Sequence, residues 1–249
     1  MKNGGRKIIF DNPFANKKAS LPINGLVWMS EIEAMRTQAE QKIAEGFDCI
    51  KFKIGALNYD NELQLLMELR KKYGDKITLR VDANGAFSFA EAKKVLLDLK
   101  KLDVHSIEQP IATEHWDEMS ELCSETPVPI ALDEELIGIF DSQSKFTLLE
   151  YIAPQFIILK PTLLGGFAQT NMWIKMAKSL KINFWLTSAL ESNIGLNAIA
   201  QYTAEVLAKE KSVLPQGLGT GSLYTNNILS PLEVRAGQIL INEAAWEEV

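Results

Sequence analysis

One pattern constrains this chain more than any other. Short apolar or β-branched runs alternate with amphipathic helical stretches, at a repeat of about 25–30 residues. The runs fall at 23–29, 49–54, 77–82, 104–108, 130–133, 156–160 and 184–188, with a weaker eighth at 213–217. Strands separated each time by a helix-length crossover pair in parallel. Eight of them close into a barrel, and an open doubly wound sheet normally carries a Gly-rich first turn. No G-x-G-x-x-G follows the first run. A chain of 249 residues fits one such barrel.

The stretches between the runs carry helix signals. Ser30 precedes EIEAMRTQAEQKIAEG, with Gly46 as its stop. Asn58 or Asp60 opens the second helix and Gly74 ends it. Ser88, with Glu91 three residues on, has capping-box spacing, and Ala92, Val95, Leu96 and Leu99 share one face at helical period. No helical pattern follows Gly221, so the expected architecture is a (β/α)7β modified TIM barrel, with 223–249 packed around its exterior or bottom.

Composition excludes several function classes. Net charge is −6, and phosphate binding needs a basic face, so a nucleic-acid partner is not expected. No apolar run reaches the roughly 18–20 residues of a membrane span, and the start has no signal-peptide pattern. No membrane association is expected. Cys49 and Cys123 form no C-x-x-C pair and read as free thiols in a reducing cytoplasm. The only histidines, His105 and His115, cannot make a multi-histidine zinc site.

In a parallel barrel, side chains at the C-terminal strand ends converge on one mouth. The second run reads IKFKI, so Lys51 and Lys53 share a face, as do Arg80 and Asp82 on the third. The fourth ends on Glu108, the fifth on Asp133, the sixth on Lys160 and the seventh on Ser188. A single strand-end Asp is usually a helix cap, and a single Lys a surface residue. Here Lys, Asp, Glu, Asp and Lys end successive strands, and Asp82, Glu108 and Asp133 are 26 and 25 residues apart. Three converging carboxylates repel unless a divalent cation joins them, and an all-oxygen set suits Mg²⁺ or Mn²⁺. Such a cation would acidify the α-proton of a small carboxylate substrate. A lysine could accept that proton if its pKa fell toward neutrality, and Lys51 beside Lys53 would push it that way.

The segments IKFKIG, LRVDANGAF, IEQP, ALDEE and LKPTLLGG together resemble the barrel of the enolase superfamily, in its muconate-lactonizing subgroup, over roughly residues 20–240. PINGLVWM, TSALESNIG and GLGTG further resemble the subgroup's dehydratases of menaquinone biosynthesis. Its epimerases usually carry a D-x-D near the eighth strand, where this chain reads PQGLGTG. The resemblance implies Lys53 as the proton-abstracting base and Lys160 as electrostatic stabiliser, or as second base in a racemase. It implies Lys51, Arg80, Ser188, Gly217 and Gly219 as contacts to substrate carboxylates. Relatives normally begin with an α+β capping domain. Residues 1–21 therefore read as its remnant or linker and 22–249 as the barrel. The readings that follow are a dehydratase, an N-acylamino acid racemase or dipeptide epimerase, and a metal-binding barrel inactive alone. A homo-oligomer is left open.

Overall fold

Local chemistry sets most helix boundaries. In the computed structural model, which describes residues 7–221, 224–244 and 246, the Asn58 side chain accepts from Asn61 N at the start of α2 (Tyr59–Tyr73). Residues 1–6 of the opening segment and 222–223, 245 and 247–249 of the tail lie outside those described. Gly74, at φ 61°, ends α2 in a conformation that costs a residue with a Cβ. Ser88 and Glu91 form the reciprocal capping box of α3 (Phe89–Lys101). The expected Ser30 cap is not made. Helix α1 (Ile32–Ala44) starts one residue later, with Glu31 at the cap position, and Ser30 Oγ instead accepts from Gln38 Nε2. The remaining helices are α4 (Trp116–Glu125), α5 (Ser142–Ile152), α6 (Gly166–Ser179) and α7 (Asn193–Leu207).

After the two-residue β1 (Leu21–Pro22), the strands β2 (Gly25–Val27), β3 (Cys49–Lys53), β4 (Thr78–Asp82), β5 (Ser106–Glu108), β6 (Ile130–Leu132), β7 (Phe156–Leu159) and β8 (Asn183–Leu186) form one parallel sheet in chain order. A helix follows each of the seven. The curled sheet's two edges are joined by two residues. Gln216 bridges in parallel to Ile23 and Gly217 to Thr187, with Asn24 N donating to Gln216 O (3.0 Å) and Ser188 N to Gly217 O (3.0 Å). The weak eighth run is thus reduced to bridges, as a (β/α)7β order requires at minimum. Gly217 has no room for a side chain: a Cβ there would stand 1.5 Å from Thr187 Oγ1.

Strand alternation divides the buried residues into a shell and an interior. Ile50, Phe52, Leu79, Val81, Ile107, Leu132, Ile157 and Leu159 face outward into one apolar cluster with the helix residues Leu65, Leu69, Val95, Leu99 and Trp173. Burying each large side chain contributes about 1.5–3 kcal/mol. This shell carries the stability and leaves the interior free for charge. Inside, the apolar cluster is small: Ala131, Ile158 and Trp185, with Phe156 and Leu214 against it.

The tail forms β9 (Leu232–Arg235) and β10 (Gln238–Ile241), an antiparallel hairpin that pairs with β1. Its turn packs where Gly46 and Phe47 enter β3, while Tyr224 and Asn227, earlier in the tail, bond to Leu190 O and Asn193 N at the other end of the barrel. The opening segment is docked on α7. Gln201 Oε1 accepts from Ile9 N (2.8 Å) and Phe10 N (3.1 Å), its Nε2 donates to Lys7 O (2.7 Å), and Phe14 is buried. Among the described residues no helix is long and apolar enough to cross a membrane.

Candidate active site

Parallel register brings the strand-end charges together. Lys53 pairs with Asp82 across β3 and β4, and Asp82 with Glu108 across β4 and β5. Asp133 and Lys160 each follow directly on β6 and β7. Relative exposures of Asp82, Glu108 and Asp133 are 2%, 0% and 2%, so these carboxyls are removed from water and must find partners inside the protein. Lys51 Nζ sits 3.0 Å from Asp82 Oδ2 and 2.7 Å from Glu108 Oε2. Lys53 Nζ contacts Asp82 Oδ2 (3.2 Å) and donates to Asn84 Oδ1 (2.6 Å), and Lys160 pairs with Asp133.

The electrostatics follow from burial and pairing. Burial works against the Lys51 ammonium, but Asp82 and Glu108 outweigh it and raise its pKa. Burial likewise opposes ionisation of Asp82, yet Lys51 and Lys53 hold that carboxyl down to about 2. Glu108 goes the other way, to about 8: full burial dominates, and the repulsion of Asp82 and Asp133 adds to it against the pull of Lys51. Asp133 rises to about 6, through burial that Lys160 only partly offsets. Lys160 is itself raised, because Asp133 outweighs its burial.

This donor set fits a hard divalent cation: three buried carboxyls on consecutive strand ends, all oxygen, and mutually repulsive. Asp82 and Glu108 already meet on one Lys51 ammonium. Among the described residues, however, no three of His, Cys, Asp and Glu are gathered as a ligand group. Each of the three carboxylates is instead turned onto a lysine, which relieves the repulsion that a cation would otherwise relieve.

A cavity of about 270 Å³ opens above these groups, lined by Lys51, Lys53, Asp82, Lys160, Ser188, Gly217 and Gly219 among others. A larger one, about 720 Å³, lies on the flank between α1 and residues 219–239 and touches none of the strand-end charges. Chemistry therefore selects the smaller cavity.

Of the expected substrate contacts, Ser188 reaches the cavity and Arg80 does not. Arg80 stands two residues below Asp82 on the same face, 1% exposed, stacked on Trp185 at 4.1 Å and donating to Pro215 O (2.7 Å). It is an interior residue and does not line the cavity. Ser188 lines it, but its hydroxyl donates to Glu191 Oε2 (2.6 Å) and accepts from Thr220 Oγ1 (2.8 Å) and Leu190 N (3.0 Å), which uses its hydrogen-bonding capacity. Sequence reasoning passed over Asn84, which links Lys53 to Glu134 Oε1 (2.9 Å), although its place two residues after Asp82 puts it at the same mouth. It also passed over Gln109 and Glu135, which are bonded to each other just past the ends of β5 and β6.

Residues 34–245 match the enolase C-terminal domain-like family. The chain belongs to that family. An enolase-type barrel accounts for the strand order. The chain is 49% identical over 236 residues to the o-succinylbenzoate synthase of Desulfotalea psychrophila, covering 94% of this chain and 63% of that relative. The crystal structure of MenC from Desulfotalea psychrophila superposes with a TM-score of 0.88 at 48% identity, covering 96% of this chain and 65% of the other. Muconate cycloisomerase from Pseudomonas fluorescens, at 24% identity, shares the fold with a TM-score of 0.79 over 90% of this chain and 61% of its own. This enolase-family chain thus spans less than two thirds of each of these relatives' lengths.

Proposed function

We propose that this chain is the barrel of an o-succinylbenzoate synthase, a dehydratase acting in menaquinone biosynthesis. One observation carries the reading. Lys53 and Lys160 approach the buried acidic residues from different strands, one on Asp82 and the other on Asp133, and both line the same cavity. The 49% identity to an enzyme of that name supports the substrate class, a cyclohexadiene carboxylate bearing a succinyl group and a hydroxyl.

Asp82, Glu108 and Asp133 would hold Mg²⁺, or Mn²⁺, with Lys51 giving up its bridging role. When bound, the cation supplies positive charge that acidifies the proton α to a carboxylate. Lys53 Nζ takes that proton, and the C–H electron pair becomes the enediolate. The resulting Lys53 ammonium returns the proton to the departing hydroxyl on the same face, so water leaves and the ring becomes aromatic. Lys160, held as an ammonium, stabilises the developing negative charge from the other side. Lys51, Gly217 and Gly219 remain candidates for contact with the substrate carboxylates at the mouth, while the interior placement of Arg80 and the satisfied hydroxyl of Ser188 weigh against those two.

A second reading is racemisation or epimerisation of an N-acylated amino acid, which two lysines on separate strands would also permit. Against its dipeptide form stands the acid-free segment 215–221. In this reading residues 22–249 are the barrel and 1–21 the segment leading into it. Exposed apolar residues on the loops after β3, β6, β7 and β8, namely Leu57, Phe140, Leu163 and Leu190, support a further covering segment over the mouth. A reducing cytoplasm suits the buried free thiols Cys49 and Cys123.

The deciding experiment incubates the protein with the hydroxy-cyclohexadiene carboxylate in deuterated water with Mg²⁺. Formation of the aromatic product is the expected result. Deuterium entering N-acylamino acids, without dehydration of the first substrate, would favour racemisation instead.

A further inference from the structure

Just past the ends of β5 and β6, Gln109 and Glu135 form a buried pair of side chains beside the acidic residues. Gln109 follows Glu108, is 1% exposed, and takes φ 36°, an uncommon value for a residue with a Cβ. Its side-chain amide is spoken for at both ends. Oε1 accepts from Asp133 N (3.2 Å) and more weakly from Glu135 N (3.4 Å), while Nε2 donates to Ile111 O (3.1 Å) and Glu135 Oε2 (3.1 Å). Glu135, 5% exposed, has no lysine or arginine partner among the described residues. Its carboxylate accepts instead from Gln109, from Trp116 Nε1 (2.7 Å) and from Glu114 N (2.9 Å).

One residue thereby touches two strand ends. The backbone of Gln109 carries Glu108, and its amide oxygen fixes the backbone of Asp133, whose φ −126° and ψ −80° lie outside the helix and strand regions. The Glu135 carboxylate sets which way the amide faces, because only Nε2 can donate to it. We propose that Gln109 and Glu135 are positioning residues that set the spacing between Glu108 and Asp133 for a divalent cation. This rests on the cation-site reading given above and goes further by naming what holds two of the ligands in place.

Charge and geometry separate cleanly here. Q109E adds a negative charge, and E135Q removes one. If only the field at the site mattered, the two would shift cation affinity in opposite directions. If the clamp matters, both weaken it. Q109E puts two carboxylates face to face. E135Q offers Gln109 a donor where it needs an acceptor, and turning the Gln109 amide over would point its NH₂ at Asp133 N. The reciprocal variant Q109E/E135Q restores one donor between two acceptors at wild-type net charge and leaves unrepaired only the bond to Ile111 O.

The test titrates Mn²⁺ into the wild-type chain, both single variants and the double variant, reading the free Mn²⁺ signal by electron paramagnetic resonance. Temperature is kept below every thermal midpoint recorded by circular dichroism. Each single variant should raise the dissociation constant by about 10–100-fold, the usual cost of removing a ligand's supporting partner. The double variant should recover at least half of that loss on a logarithmic scale. Opposite shifts in the two singles, unchanged affinity in both, or no recovery in the double would overturn the positioning role. D133N is the control for the site. If the wild type binds no Mn²⁺, or D133N binds as the wild type does, the cation-site reading fails and this proposal with it.

Discussion

Lys51 Nζ bridges two buried carboxylates, 3.0 Å from Asp82 Oδ2 and 2.7 Å from Glu108 Oε2. It occupies the electrostatic role that a cation on those oxygens would share. Lys51→Met should therefore cost stability in cation-free solution, by about 3–5 kcal/mol, because, among the described residues, buried Glu108 loses its only lysine and Asp82 keeps Lys53 alone. Added Mg²⁺ should restore a large part of the loss. Urea unfolding with and without Mg²⁺ measures both, and a variant as stable as wild type without cation would show that Lys51 is not the compensating charge.

The two cavity lysines should separate by function. Lys53→Ala should abolish proton abstraction and leave Mn²⁺ binding nearly intact, and Lys53→Arg should fail equally, since guanidinium stays protonated. Lys160→Ala should slow dehydration by about 10²-fold or more through lost charge stabilisation. The assay belongs in whichever form of the protein turns over. Near wild-type turnover by Lys53→Ala would rule out its role as base.

Cation affinity should depend on pH with a defined sign. A protonated carboxyl is a poor ligand, and burial raises Glu108 to about 8 and Asp133 to about 6, whereas Asp82 is held at about 2. Affinity should then climb as pH rises from about 6 to about 8, as protons leave Asp133 and then Glu108, and level off above that. Asp82 should contribute no slope in this window. Calorimetric Mg²⁺ titrations across the range provide the check. A flat profile would mean that the carboxyls are already ionised in the cation-free protein.

The features visible in the sequence were those written in local periodicity. Charges at alternate positions of apolar strands marked Lys51, Lys53 and Asp82 as facing one way, and the spacing of Glu108 and Asp133 followed from one strand and helix each. What was hidden depends on distant partners. Arg80 obeys the same alternation as Asp82, and only the stack on Trp185, from a strand four places away in the sheet, shows that it lies below the mouth. Gln201 holds Ile9 and Phe10 across about 190 residues of chain. The β9–β10 hairpin turns on Ala236 and Gly237, both at positive φ, without the Asn-Gly or Asp-Gly pair that announces such a turn.

Barrel closure gives the last prediction. Gln216 and Gly217 replace a full eighth strand, and Gly217 lies so close to Thr187 that an added Cβ would stand 1.5 Å from Oγ1 and 2.8 Å from Cβ. Turning the Thr187 side chain could move Oγ1 away, at the cost of its bond to Gly217 O (3.1 Å), but the Cβ stays with the backbone. The strand end itself must shift. That shift strains Gly217 N to Leu186 O (2.8 Å) and Ser188 N to Gly217 O (3.0 Å), two of the bonds that join the edges of the sheet. Gly217→Ala should therefore destabilise by about 2 kcal/mol or more, within the range for overpacking. Thr187→Ala should rescue it poorly, because the 2.8 Å contact remains. Thr187→Gly in the same background should rescue it well, giving a coupling energy between the two sites in a double-mutant cycle. Urea unfolding of Gly217→Ala, the two Thr187 single variants, the two double variants and the wild type measures this. A Gly217→Ala protein within about 0.5 kcal/mol of wild type would show that the closing residues yield more readily than this packing implies.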